Sequence, residues 1–233
     1  MIRWHRESLC HFYGGNMFKA VVFDMDGVIL DSEKIYRKYE YIAAEHFGLP
    51  MDNLEEFCNK IAGGTKHTNK LVFEEFFDTD IDYFEYRDVI SEGVERYATE
   101  HGYELKSGIR ELFDILKEKG IKIALATSTD KDRATRFLEP LGLISYFDEM
   151  IFGDVLPPGR GKPNPDIYLA ACEALGTKPE ETIGVEDSIN GIMSSKAAGL
   201  YTVMVIDVVT PDEQQRLIPD KIYENALEIS ELL

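Results

Sequence analysis

Lys19-Ala20-Val21-Val22-Phe23-Asp24-Met25-Asp26-Gly27-Val28 is the stretch on which the fold turns. Residues 19–23 are short, apolar and β-branched, as a parallel strand buried on both faces should be. An acid stands at the strand's end, a second follows two residues on, and Gly27 lets the chain turn sharply after them. Beyond it, residues 33–47 have helical spacing, with Ile35, Tyr39, Ile42, Ala43 and Phe47 on one face and Gly48 and Pro50 as the stop. Residues 51–100 read as helix throughout, with aromatic runs such as 71–77 and no convincing strand. After Ser107 strands and helices alternate. A helix carries Ile109, Leu112, Phe113 and Leu116 inward and ends at Gly120; strands are expected at 121–126, 149–152, 182–185 and, last, 201–206. Helices are expected at 130–138, from Asn164 as N-cap with Pro165 in the first turn to Gly176, and at 188–198 with Ile189, Ile192 and Met193 inward. Such alternation implies an α/β fold, a Rossmann-like doubly wound parallel sheet. Residues 17–32 and 101–233 then form the core and residues 33–100 an inserted helical module. Residues 1–16 read as an extension outside the fold, with Met17 as the natural start.

Ligands of open α/β sheets bind beyond the carboxyl ends of the strands. Polar residues directly after the expected strands are therefore the candidates: Asp24 with Asp26, Thr127 with Ser128, Lys162, and Glu186 with Asp187. Two carboxylates two residues apart can point the same way. Close like charges call for a cation or a shared proton, and hard oxygen ligands suit Mg²⁺. A carboxylate is also a competent nucleophile toward phosphorus, and a second one can serve as general acid and base. Alone, the pair fits a helix cap, a solvated turn or the metal site of a nucleotide-sugar transferase equally well. A hydroxyl and backbone N–H groups at residues 127–128 can hold a phosphoryl oxygen, and can also cap the following helix. Lys162 precedes a helix N-terminus, where the macrodipole disfavours it, so a partner is expected. One acid of the Glu186-Asp187 pair is the expected N-cap; two are more than a cap needs.

Together, Phe23-Asp24-Met25-Asp26-Gly27-Val28 with Asp31-Ser32, then Thr127-Ser128, Lys162-Pro163 and Gly184-Val185-Glu186-Asp187-Ser188 resemble the haloacid dehalogenase-like superfamily. The resemblance runs over about residues 18–208. It implies Asp24 as nucleophile, Asp26 as general acid and base, and Mg²⁺ held by Asp24, the Asp26 backbone carbonyl and Asp187, with Glu186 nearby. It implies phosphoryl binding by Thr127 or Ser128 with Lys162, and makes the helical insertion a cap that closes over substrate. Within the superfamily the chain looks most like the β-phosphoglucomutase and sugar-phosphate phosphatase branch, and Asp26 sets it apart from true haloacid dehalogenases. The mutases carry a histidine where Tyr36 stands. Their cap motif Lys-Gly-x-Ser-Arg is here Ala62-Gly63-Gly64-Thr65-Lys66, leaving Lys66 as the one candidate substrate contact in the cap. These departures favour a phosphatase of small phosphorylated metabolites over a mutase.

With 25 Lys and Arg against 43 Asp and Glu, the net charge of −18 repels nucleic acid and anionic membranes. Cys10, Cys58 and Cys172 are too few and too scattered for a disulfide framework or structural zinc. No run has the length of a membrane helix and no secretory signal is seen. A cytoplasmic monomer or weak homodimer is the expectation. A signalling receiver domain also uses aspartate, hydroxyl and lysine at strand ends, but lacks an inserted helical module.

Overall fold

The structure, a computed structural model, describes residues 18–62, 66–157, 159–208 and 210–233. The expected extension at 1–16, the start at Met17 and the Gly63-Gly64-Thr65 part of the cap motif lie outside the described residues.

Six strands form one parallel sheet: β1 (Ala20–Phe23), β2 (Lys122–Thr127), β3 (Glu149–Phe152), β4 (Thr182–Glu186), β5 (Tyr201–Val205) and β6 (Lys221–Tyr223). Their order is β3-β2-β1-β4-β5-β6. The chain therefore leaves β1 in one direction toward β3 and returns to continue in the other. That reversal opens a crevice at the carboxyl ends of β1 and its neighbours. Residues alternate across β1. Val21 and Phe23 join one core with Phe113, Leu116, Ile123, Val185 and Ile229, while Ala20 and Val22 face Ala124, Ile167, Tyr168 and Ala171 on the other side. This is the two-faced burial that a continuous apolar run demands.

Helix α1 (Glu33–Phe47), α2 (Leu54–Ile61), α3 (Lys66–Phe77) and α4 (Tyr83–His101) follow β1 with no named strand among their described residues. They share an aromatic core in which Phe57 lies 4.8 Å from Phe77 and Phe73 4.8 Å from Tyr86, ring centre to ring centre. Asp82 caps α4 by accepting from the Phe84 and Glu85 amides. The two passages between these helices and the sheet run side by side: the Asp31 amide donates to the Glu104 carbonyl and the Lys106 amide to the Ile29 carbonyl, both at 2.9 Å. The remaining helices, α5 (Ile109–Glu118), α6 (Lys131–Leu138), α7 (Asp166–Leu175) and α8 (Ile189–Ala198), cover the sheet.

Several local expectations are corrected. The last strand is β6, a three-residue edge strand beyond 201–206 whose Lys221-Ile222-Tyr223 is too short to stand out. Asn164 does not cap α7: Pro165 holds that position, and the Asn164 side chain instead donates to the carbonyls of Gly159 and Gly161. Neither Glu186 nor Asp187 caps α8, because Ser188 does so by accepting from the Gly191 amide. Ile42 and Met193 are exposed, not inward. On α1 the buried places near Ile42 go to Glu40, Ala43 and Ala44; on α8 they go to Ser194, which donates to the Asn164 carbonyl, and Ser195, which pairs with Thr202 of β5.

Candidate active site

Asp24 follows β1, Thr127 ends β2, and Glu186 ends β4 with Asp187 next. The parallel register therefore brings these ends to one edge of the sheet. There they open on a cavity of about 690 Å³ lined by Asp24, Asp26, Thr127, Ser128, Lys162 and Asp187 from the sheet side. Tyr36, Arg37, Lys66, His67 and Arg87 line it from the helices. Glu186 is fully buried behind this lining. All eight residues singled out in the sequence thus lie at or directly behind one cavity, with Lys66, at the start of α3, on its exposed rim.

Lys162 is 2% exposed and makes ion pairs with Asp24 Oδ1 and, at 2.6 Å, with Glu186 Oε1. Those partners explain a lysine where the helix dipole disfavours one. Burial alone would lower the ammonium; the charges of Asp24 and Glu186 more than reverse this and hold it above its ordinary range. Glu186 is fixed by further donors: the Tyr168 hydroxyl at 2.6 Å on Oε1 and the Ser188 hydroxyl at 3.2 Å on Oε2. Gly191 of α8 packs on that carboxylate so closely that any Cβ there would overlap it. Burial, then Glu186 and Asp26, push Asp24 up to about 7 against the pull of Lys162. Asp187 is raised well above the carboxylate range by burial and then by Glu33, Glu186, Asp24 and Asp207. Asp26 is oriented by two hydroxyls, Ser32 donating to Oδ1 at 2.6 Å and Thr129 to Oδ2 at 3.1 Å. The Thr127 hydroxyl accepts from the Thr129 amide at 3.1 Å and so shapes the turn beneath it.

Oxygens of Asp24, Glu186 and Asp187 lie within 4.8 Å of one another. Three carboxylates against the single ammonium of Lys162 leave an excess of negative charge in a buried place. Gly27, at φ +80°, completes the cradle: its missing side chain leaves room that Asp187 Oδ2 occupies. An all-oxygen, negatively charged set of this kind fits a hard divalent cation. Asp26 contributes no carboxylate oxygen to this group; its side chain is engaged with Ser32 and Thr129.

Strand-end reasoning did not reach Ser32 and Thr129, which act through Asp26, nor Glu33, Arg37 and Glu40, which face the cavity. The last three had a readable signal. Residues 33, 36, 37 and 40 recur at helical spacing as a second, polar stripe on α1 beside its apolar one.

A family model described as haloacid dehalogenase-like hydrolase matches residues 18–199. A phosphorylated carbohydrates phosphatase of Thermotoga maritima is 36% identical over 185 residues, covering 79% of this chain and 83% of that protein. Hexitol phosphatase B of Escherichia coli K12 is 26% identical over 197 residues, covering 80% and 82%. The solved structure of a β-phosphoglucomutase from Clostridium difficile superposes with a TM-score of 0.74 over 91% of this chain and 93% of that one; at 21% identity this likeness concerns the fold.

Proposed function

Because the chain belongs to the haloacid dehalogenase-like hydrolase family and is a phosphoric monoester hydrolase, we propose that it removes phosphate from a small phosphorylated metabolite. A sugar phosphate or similar monophosphate is the substrate class, and the reaction runs through an aspartyl-phosphate on Asp24. The observation that carries this reading is the pairing of Asp24, held by buried Lys162, with Asp26, held by two hydroxyls, in one cavity.

In the first half-reaction Asp24 attacks phosphorus. The new bond joins its carboxylate oxygen to phosphorus, the phosphorus–ester oxygen bond breaks, and Asp26 gives its proton to the departing alkoxide. In the second, Asp26 takes a proton from water while the water oxygen bonds to phosphorus. The acyl phosphate bond then breaks, releasing inorganic phosphate and restoring both carboxyl groups. Lys162 offsets the charge of Asp24 throughout, and Thr127 or Ser128 holds the phosphoryl oxygens. Mg²⁺ is the cation these residues would hold, through Asp24, Asp187 and the backbone carbonyl of Asp26, with Glu186 beside them. It would offset charge on the transferring phosphoryl group.

In this reading the described residues of 33–100 serve as a cap, and those of 17–32 and 101–233 as the core. Lys66 and its cap neighbours Arg37 and Arg87 would face the non-transferred part of the substrate, and the paired connections at 29–31 and 104–106 are the natural hinge. Tyr36 supports hydrolysis over mutase chemistry. Burial, then Asp26, raises its phenol well above the ordinary range, so it keeps its proton near neutral pH and cannot relay one as an imidazole does.

The test is phosphate release from a set of phosphorylated metabolites with Mg²⁺, together with β-glucose 1-phosphate plus a trace of the 1,6-bisphosphate. The expected result is stoichiometric inorganic phosphate with no need for the bisphosphate. Rapid formation of glucose 6-phosphate with negligible free phosphate would instead make the enzyme a mutase and leave the Asp24 chemistry standing.

A further inference from the structure

Asp207 lies two residues beyond β5, at the same sheet edge as Asp24 and Asp187. Its side chain is only 6% exposed. Oδ1 receives the ammonium of Lys106, which belongs to the connection between the helical module and the core. Oδ2 is buried and has no hydrogen-bond partner. A buried carboxylate oxygen without a donor is costly, so its persistence calls for an occupant.

The direction of that oxygen identifies the occupant. A Cβ built on Gly27 would lie 3.1 Å from Asp207 Oδ2 and would overlap Asp187 Oδ2. The two carboxylate oxygens thus converge on the bare face of Gly27, one from the acidic group and one from outside it. Two such oxygens repel unless a donor or a positive charge stands near both. Mg²⁺ dehydrates reluctantly and keeps several waters, and the protons of those waters need acceptors. A buried acceptor facing a cation-binding carboxylate meets that need.

Resting on the reading of Asp24, Glu186 and Asp187 as a Mg²⁺ site, we propose that Asp207 is a positioning residue of that site, its Oδ2 accepting a hydrogen bond from a water that the cation carries. Its other oxygen ties the same carboxylate to Lys106. Asp207 thereby links the filled metal site to the connection on which the cap would turn.

The experiment is calorimetric titration of the whole chain with Mg²⁺ alone, alongside thermal melts in EDTA. Asp207→Asn keeps the shape and loses the strong acceptor, and should weaken Mg²⁺ binding about tenfold, the usual cost of losing an outer partner. Its metal-free melt should lie close to wild type, because the amide oxygen still accepts from Lys106 while the donorless oxygen is replaced by an amide nitrogen. Asp31→Asn is the control: Asp31 also lies near Lys106, 4.0 Å away, but is a quarter exposed. It should bind within about twofold of wild type. If Asp207→Asn disturbs the melt, Asp207→Ala is titrated in its place with the same expectation. Unchanged affinity in the Asp207 variant, or an equal loss in Asp31→Asn, overturns the proposal while a binding wild type and a non-binding Asp187→Asn leave the metal site intact. A wild type that takes up no Mg²⁺ overturns the metal site and the role of Asp207 together.

Discussion

Replacing Glu40 by glutamine should stabilise the protein increasingly as pH rises from about 4.5 to 7, and have little effect below that range. Glu40 is buried on α1, where its carboxylate accepts the Tyr86 hydroxyl at 2.6 Å. The groups facing it are Arg37 on its own helix, Cys58 on α2, and Tyr83, Tyr86 and Arg87 on α4. Burial pushes its carboxyl from 4.5 up to about 7, against the Tyr86 hydrogen bond and the charges of Arg87 and Arg37. For an acid raised in the fold, the native state binds the proton more tightly than the unfolded chain does. Stability is therefore full below about pH 4.5 and is lost as pH rises toward 7. A shift of that size, at 1.36 kcal/mol per unit, corresponds to about 3 kcal/mol. Glutamine imitates the protonated acid, still accepts from Tyr86, and cannot ionise. Urea unfolding of wild type and Glu40→Gln at pH 5, 6, 7 and 8 isolates the effect, because every other titrating group cancels in the difference. The gap should widen from under about 1 kcal/mol at pH 5 to about 3 kcal/mol in favour of the variant at pH 8. A gap that stays constant across the range would rule out ionisation of Glu40 as its cause, since a packing change alone carries no pH dependence.

EDTA should abolish phosphate release and Mg²⁺ restore it, with Ca²⁺ a poor substitute because its looser coordination disturbs in-line transfer; full turnover in EDTA would remove the metal from the mechanism. Asp24→Asn should leave no measurable activity. Asp26→Ala should cost about 10²- to 10⁴-fold on alkyl phosphates and far less on p-nitrophenyl phosphate, whose leaving group needs little protonation; equal losses on both would deny Asp26 the acid role. Lys66→Ala should raise KM for the preferred substrate and leave p-nitrophenyl phosphate turnover nearly unchanged, and a uniform loss across substrates would argue against a specificity role.

Much of the architecture was legible because local chemistry dictates it. Residues 19–23 and 182–185 read as buried strands since only a two-sided apolar environment tolerates such runs. Gly176 closes its helix because the left-handed φ of +66° found there is open to glycine at no steric cost. What escaped was decided by neighbours. Met193 fits the periodicity of an inward residue, but the buried places on α8 go to Gly191 against Glu186, Ser195 against Thr202 and Ser194 against the Asn164 carbonyl, which leave it outside. Periodicity shows that a helix has a buried face; it does not show how close the opposing surface comes. Asp207 was missed for a different reason. It follows a recognised strand, as Asp24 and Asp187 do, but a lone acid has no companion in the sequence to mark it.

The sequence by itself determined the sheet-and-helix alternation, the strand ends that carry chemistry and the residue types gathered there, for each depends on a few consecutive side chains. Residues 24, 127, 162 and 187, scattered over more than two-thirds of the chain, are expected at one sheet edge from their strand-end places; the tertiary structure gave the shape of the cavity of about 690 Å³ that they line. It also decided that Lys162 spends its charge on both Asp24 and Glu186, and that Glu33, Arg37 and Glu40 turn toward the site. These are consequences of strand order and of the packing between elements. A parallel pair joined by a long right-handed crossover can sit on either side of β1, and adding strands on both sides, as in β3-β2-β1-β4-β5-β6, is what covers both faces of the sheet with helices.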